Sequence, residues 1–554
     1  MERADFVRHA QCSSCCLLTG WACLLLATST SADEPLHRRI DQLVSARFGD
    51  RQPTEIVDDA TFLRRVWLDL AGRIPTAERT RAFLQDSSQD KRAREIGCLL
   101  AAPAYVEHME DRFHVILMER RGDDPFWRKF LRNCFEQNQP WDRIVRQVLS
   151  PDDQDETARG AAYFYTKRLE KHGQNPVDYS GLTRDVGRLF LGVDLQCAEC
   201  HNHLFIDDYK QQDFQGLFIV HQGLSIRRGA KFPAIDEKEM TSRLEFVSVF
   251  ENTKRQTGPR IPFGEEFLLP EPPTDPANRP PAPPFSALEL ISAELPVADR
   301  ELFTKNIANR LWFQMMGRGL VEPLDQFHSG NLSSHPQLLD VLAGEFATHK
   351  FDIKWFLREL ALTDTYQRST RISAVSLVAE TPDQRGSVVR PDDEDGLWYR
   401  VANERRLSAE QLFRSTLLAT GGSASLDVKG RDEQSLQEFD DLKARFLKAF
   451  ANDAREPEIG QNSTVKAALF VLNDDKLLER CLPQEGNLVG RLAEITDVRE
   501  LCDELFLSVF TRPPHDEEVD VVTEYLQNNA ARRQVALGHV VWSMLTSIEF
   551  CVNH

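Results

Sequence analysis

From His37 to about Val220, apolar residues recur every three or four positions between polar stretches, which predicts a succession of short helices. Asp58 or Asp59 can cap ATFLRRVWLDLAG, in which Phe62, Val66, Leu68 and Leu70 supply apolar positions and Gly72 supplies a stop. Pro75-Thr76 opens TAERTRAFLQD, and the same texture predicts helices at 91–100, 105–119, 127–136, 141–149 and 179–191. Near Leu244 the period changes. LEFVSVFENT is β-branched and aromatic and is bounded by turn residues, so it predicts a small strand-containing insert. Prolines then crowd the chain from Pro259 to Pro284, a composition suited to an extended, semi-rigid connector.

After Ala287 the helical period returns in ADRELFTKNIANRLWFQMMG, LLDVLAGEFATHK and IKWFLRELALTDTYQR. Ser408 with Gln411 forms a capping box for AEQLFRSTLLATG. The polar stretches 381–395 and 427–438 read as surface loops, and a last helical group covers 498–510, 517–527 and 535–547. The expectation is a mainly α protein. Two helical domains, 33–222 and 287–554, flank a β-containing, proline-rich insert at 223–286.

Composition narrows the class. A chain of 554 residues, 41% hydrophobic and 28% charged, exceeds one ordinary core and is neither disordered nor fibrous. Its net charge of −19 repels phosphate backbones, so no nucleic-acid partner is expected. Residues 1–32 combine Arg3, Arg8 and His9 with an apolar run from Cys15 to Ala27 and a small-residue stretch ending at Ala32. That is the make-up of a secretory signal peptide, and it predicts a periplasmic or secreted chain with no membrane span after cleavage. Of the 11 cysteines, Cys98, Cys134, Cys197, Cys200, Cys481, Cys502 and Cys551 follow Ala32, too few and too odd in number for a disulfide framework.

The chemistry concentrates in Cys197-Ala198-Glu199-Cys200-His201. A Cys-x-x-Cys-His run in an exported protein reads as c-type haem attachment. Two cysteines three apart on one turn can both reach a single porphyrin, and the following imidazole can take the iron. Two other readings stay open. Cys197 and Cys200 can form a disulfide or a redox pair. Alternatively, the continuation through His203 to Asp207 and Asp208 can hold non-haem iron or zinc, with His201, His203 and Asp207 as ligands. For a sixth haem ligand, the same half of the chain offers Met109, Met118, His108, His114, His172 and His221.

Several longer runs carry a resemblance. FLRRVWLDLAGRIPT (62–76) and LFLGVDLQCAECHNHLF (189–205) stand in the first half. NRLWFQMMGRGLVEP (309–323), HPQLLDVLAGEF (335–346), TYQRST (365–370), RRLSAEQLFRSTLLATG (405–421) and SIEFCVNH (547–554) stand in the second. With these, the chain resembles secreted planctomycete proteins that pair an N-terminal and a C-terminal domain of unknown function. Such domains often occur fused to, or beside, a small cytochrome c-type domain. The resemblance implies an exported, mostly helical protein with a Cys-x-x-Cys-His site and offers no established substrate. The family run usually continues His-Pro-Phe, whereas here it is His203-Leu204-Phe205, which weakens any role for His203. With no separate N-terminal cytochrome domain in this chain, an electron partner is expected to be another exported protein.

Three classes of function follow. The first is an exported haem c protein moving electrons. The second is an extracytoplasmic non-haem metal enzyme, with polysaccharide a candidate substrate. The third is a structural envelope protein. Asn309, Arg310, Arg318 and Asp325 invite a catalytic reading, but a buried polar network with Arg stacked on Trp312 suits them better. Arg64, Arg65 and Asp69 suggest an inter-helix ion pair. No phosphate-binding glycine loop, G-x-S-x-G elbow or H-E-x-x-H run is present.

Overall fold

The computed structural model describes residues 34–171, 173–269, 285–371, 396–421, 426, 432–456 and 465–554. The expected signal peptide, most of the proline-dense stretch and the expected loop at 381–395 lie outside the described residues. The architecture is mainly helical, with small two-stranded sheets between the helical parts. Among the described residues, no helix is long and apolar enough to cross a membrane.

Local signals set the helix ends. Asp58 accepts the Thr61 N–H and starts the helix Asp59–Ala71, which Gly72 ends in the left-handed region at φ +65°. A side chain at Gly72 would also meet the His108 ring, so both backbone conformation and space require glycine there. Ser408 and Gln411 exchange hydrogen bonds as a capping box ahead of the helix Ala409–Gly421. The sequence LEFVSVFENT becomes an antiparallel hairpin, Leu244–Ser248 with Glu251–Thr257. Residues 433–438, expected in a loop, instead begin the helix Glu433–Phe450, because Asp432 caps it by accepting the Ser435 N–H. Leu442, Phe446 and Ala449 then give that helix a buried face.

Two hydrophobic cores result. The first draws on residues from Leu36 to Tyr399 and includes helices from both sides of the insert; the second gathers residues from Leu407 to Phe550 together with Leu68 and Ile74. The helix Asp59–Ala71 serves both. Phe62, Leu63, Val66 and Leu70 enter the first core, while Leu68, with Ile74 just beyond the helix, enters the second. This double burial accounts for a run apolar on nearly every side.

The charges on that helix do not pair as expected. Arg64 donates to the carbonyls of Val509, Glu549 and Phe550. Arg65 donates to those of Tyr366, Arg368 and His554. These acceptors belong to helix ends and to the chain terminus, whose carbonyls lack partners within their own elements. Burial pushes both guanidinium groups down to about 10, which leaves them charged at neutral pH. Asp69 turns instead to Arg405, Tyr366 and Asn553.

Candidate functional site

The Cys-x-x-Cys-His segment grows from a braced root. Asp178 caps the helix Tyr179–Val186 by accepting the Gly181 N–H. The backbone then widens through Gly187–Leu191 and ends at Gly192, φ +70°. Asp185 forms an ion pair with Arg168 at 2.7 Å, tying this helix to Tyr163–Arg168. Val193 bridges to Gln326, and Asn306 donates to the Leu189 carbonyl at 2.8 Å. The root therefore rests on residues from beyond the insert.

Cys197–Glu199 is a single tight turn, closed by the Cys200 N–H on the Cys197 carbonyl at 3.4 Å. At three residues per turn, positions i and i+3 eclipse, so Cys197 and Cys200 lie on the same side. Both are exposed, and among the described residues no two cysteines are bridged. The intervening residues anchor the turn. Ala198 is fully buried, and Glu199 accepts from Ser180 Oγ at 2.7 Å and from Arg184 at 3.2 Å. Gln215 donates to the Glu199 carbonyl at 2.8 Å.

The two histidines differ in the ring nitrogen they leave free. His201 Nδ1 lies 2.6 Å from the Asn202 carbonyl oxygen, which can only accept, so Nδ1 carries a proton and in the neutral ring Nε2 keeps its lone pair. A backbone carbonyl holding the other ring nitrogen is the usual support for a metal-ligating histidine. His203 is arranged the opposite way. Its Nδ1 accepts the N–H groups of Phe205 (3.2 Å) and Ile206 (3.0 Å), so in the neutral ring Nε2 holds the proton. His203 thus braces the loop and offers no lone pair outward. Asp207 is exposed, and the neighbouring Asp208 accepts the Ser329 N–H. Among the described residues, no group of three or more His, Cys, Asp or Glu side chains could hold a metal ion. His201, His203 and Asp207 are accordingly not brought together as a ligand set.

The surface around the cysteines is unusually apolar. Leu204 is 63% exposed, Phe205 90%, Val249 67% and Phe250 66%. The hairpin tip closes on the motif: the Val249 N–H donates to the Cys200 carbonyl, and the Phe250 ring centroid stands 4.7 Å from that of His201. Met109, Met118, His108, His114 and His221 are buried. His114 accepts from the Trp127 indole and His221 bonds Thr183, whereas His172 lies outside the described residues.

In the second half, Asn309 accepts the N–H groups of Leu320 and Val321 and donates to the Val321 carbonyl, which makes it a loop brace. Trp312 packs edge-on against Tyr399, in the place where an arginine was expected. Arg310 reaches Asn306 and the Arg188 carbonyl, and Asp325 stands 3.8 Å from Arg188. Sequence reasoning missed Gln314, which lies one turn beyond Arg310 on the helix Glu301–Met316. Its place among core residues concealed it.

No curated protein and no solved structure matches the chain. Residues 39–225 match the family model PSCyt2, a protein of unknown function (DUF1549), and residues 292–456 match PSD1, a protein of unknown function (DUF1553). The chain thus joins an N-terminal and a C-terminal domain of unknown function, the first of which carries the exposed cysteine pair and His201.

Proposed function

We propose that the protein is an exported c-type haem protein that transfers electrons to and from another exported protein. One observation carries the reading. Two exposed thiols on the same side of a three-residue turn adjoin an imidazole whose Nε2, in the neutral ring, keeps its lone pair, and the exposed Val249 and Phe250 of the hairpin tip lie against the motif. Exposed Val249 and Phe250 beside the motif are costly to leave in water and suit a large, flat, apolar group.

In this reading Cys197 and Cys200 would hold the haem through thioether bonds, and His201 Nε2 would ligate its iron. When bound, haem supplies one-electron redox chemistry. Glu199 and Gln215 hold the turn, Phe250 shields one side of the His201 ring, and the Asn202 carbonyl fixes the tautomer. His203 belongs to the scaffold.

The test is expression with its own leader in a host competent for cytochrome c maturation, followed by a haem-stained denaturing gel and a reduced-minus-oxidised spectrum. Covalent haem in the wild type, and its loss in both Cys197→Ala and Cys200→Ala, is expected. Colourless protein would overturn the proposal. A Cys197–Cys200 disulfide found by mass spectrometry in that colourless protein would assign the pair a structural role.

A further inference from the structure

A second candidate site lies away from the cysteines. The helix Pro103–Met118, the turn Gly187–Leu191, the helix Glu301–Met316 and the start of the helix Ala409–Gly421 line a small cleft of about 70 Å³. Val115, Ile116, Leu189, Phe313 and Leu324 make part of its wall apolar. The remainder is charged, and the carboxylates there are already engaged. Asp111 accepts from Arg128 at 2.8 Å and pairs with Arg414. Glu410 takes both arms of Arg120, at 2.9 and 3.2 Å. Glu119 pairs with Arg188 at 2.6 Å and also with Arg121.

Arg310 stands apart from this pairing. Its guanidinium is held by neutral acceptors, Asn306 Oδ1 at 2.9 Å and the Arg188 carbonyl at 2.8 Å, and it makes no ion pair among the described residues. Burial, with Arg188 close by, pushes it down to about 10, so it still carries its charge at neutral pH. One turn along the same helix face, Gln314 is only 8% exposed, and its Nε2 has no hydrogen-bond partner. A buried amide donor without an acceptor is unfavourable, and such a group points to a missing partner. Both side chains line the cleft.

We propose that this cleft binds a small organic monocarboxylate, with its carboxylate on Arg310 and Gln314 and its apolar body against Phe313 and Leu324. A planar carboxylate can accept from the guanidinium and from the amide together. Asp111, Glu119 and Glu410 disfavour a doubly charged oxyanion, and the apolar wall requires a hydrocarbon portion. None of its lining residues belongs to the Cys-x-x-Cys-His segment.

The test is isothermal titration calorimetry on the full chain with benzoate, hexanoate, acetate, sulfate and the neutral isostere benzamide. Benzoate or hexanoate is expected to bind one to one, at least about ten-fold more tightly than benzamide, which loses a charge-assisted contact, than acetate, which lacks the hydrocarbon portion, or than sulfate, which is doubly charged. Gln314→Leu, which removes the unpaired donor at similar volume, should weaken binding by about ten-fold without lowering thermal stability. Arg310→Lys should weaken it at least as much. No binding by either organic carboxylate, equal binding of benzamide, preference for sulfate, or an unaltered affinity in Gln314→Leu would each overturn the proposal. Should Arg310→Lys not fold, Gln314→Leu decides alone.

Discussion

Asp69 is the point at which three distant parts of the chain are fastened to the N-terminal helices, so its replacement is the most informative perturbation of the fold. Its carboxylate, 3% exposed, accepts from Tyr366 Oη and Arg405 Nη2, each at 2.7 Å, and from Asn553 Nδ2 at 2.9 Å. Arg405 and Arg406 pair as a short strand with Val552–Asn553, so the same contact seats the chain terminus. Burial, then the neighbouring Asp69 carboxylate, raise the Tyr366 phenol far above its ordinary value, which keeps it a donor at any working pH. In Asp69→Asn, the charge-assisted bond to Arg405 is lost, at about 1.5–3 kcal/mol, and an NH2 group is turned against a ring of donors, at about 1–3 kcal/mol. The total is about 2.5–6 kcal/mol, which brackets the usual cost of about 3–5 kcal/mol for breaking a buried ion pair from one side. Removing both charges in Asp69→Asn/Arg405→Met should recover at least about 2 kcal/mol relative to the sum of the single losses. Urea titration followed by far-ultraviolet circular dichroism and tryptophan fluorescence measures all four proteins. A loss below about 1 kcal/mol for Asp69→Asn, or single effects that add within about 0.5 kcal/mol, would refute the assignment of Asp69 as a shared fastening.

Gly192→Ala should cost about 2 kcal/mol or more, since φ is +70° and a Cβ would stand 2.7 Å from the Phe327 ring and 2.9 Å from Asn306 Oδ1; an unchanged melting temperature would contradict this. Burial pushes His221 down to about 3, against about 6.5 in the unfolded chain, so the unfolded state takes the proton first. The resulting stability is complete above about pH 6.5 and is lost as pH falls towards 3, by about 2 kcal/mol at pH 5. His221→Gln should flatten that slope in melts across this range, and a parallel slope would count against the assignment. Glu199→Ala removes the bonds from Ser180 and Arg184, worth about 1 kcal/mol, and should hasten hydrogen exchange at Cys200, whose amide closes the turn. Exchange at the wild-type rate would show that Ala198 and Gln215 suffice to hold it.

What the sequence reveals and conceals follows the range of each interaction. Caps at Asp58 and Ser408, and the stop at Gly72, act within four residues and can be read directly. The helix Glu433–Phe450 was hidden by its acids, although Phe439, Leu442, Phe446 and Phe450 recur at helical spacing and pack in the second core. Arg64, Arg65 and Asp69 find partners some 300 to 490 positions away, and no local pattern announces a carbonyl that will arrive from the other end of the chain. The cysteine motif was legible because its chemistry is contiguous. The roles of its two histidines were not, since they depend on which backbone groups the folded loop presents to each Nδ1.

The two candidate sites share a structural root. Residues 187–196 form one wall of the interhelical cleft through Arg188 and Leu189, and then deliver Cys197 to the surface after Gly192 turns the chain. Arg310, on the opposite wall, donates to the Arg188 carbonyl, while Asn306, one turn earlier, donates to that of Leu189. A carboxylate drawn to Arg310 therefore acts on a guanidinium already bonded to the backbone nine residues before the first cysteine. Coupling between distant sites requires an element that both can bias, and this segment meets the geometric part of that requirement. The remaining part is energetic. If benzoate shifts the reduction potential of the haem-loaded protein, reduction must change benzoate affinity by the matching factor, as linkage demands. A potential independent of benzoate, in protein shown by calorimetry to bind it, would mean that residues 187–196 are a rigid joint between two independent sites.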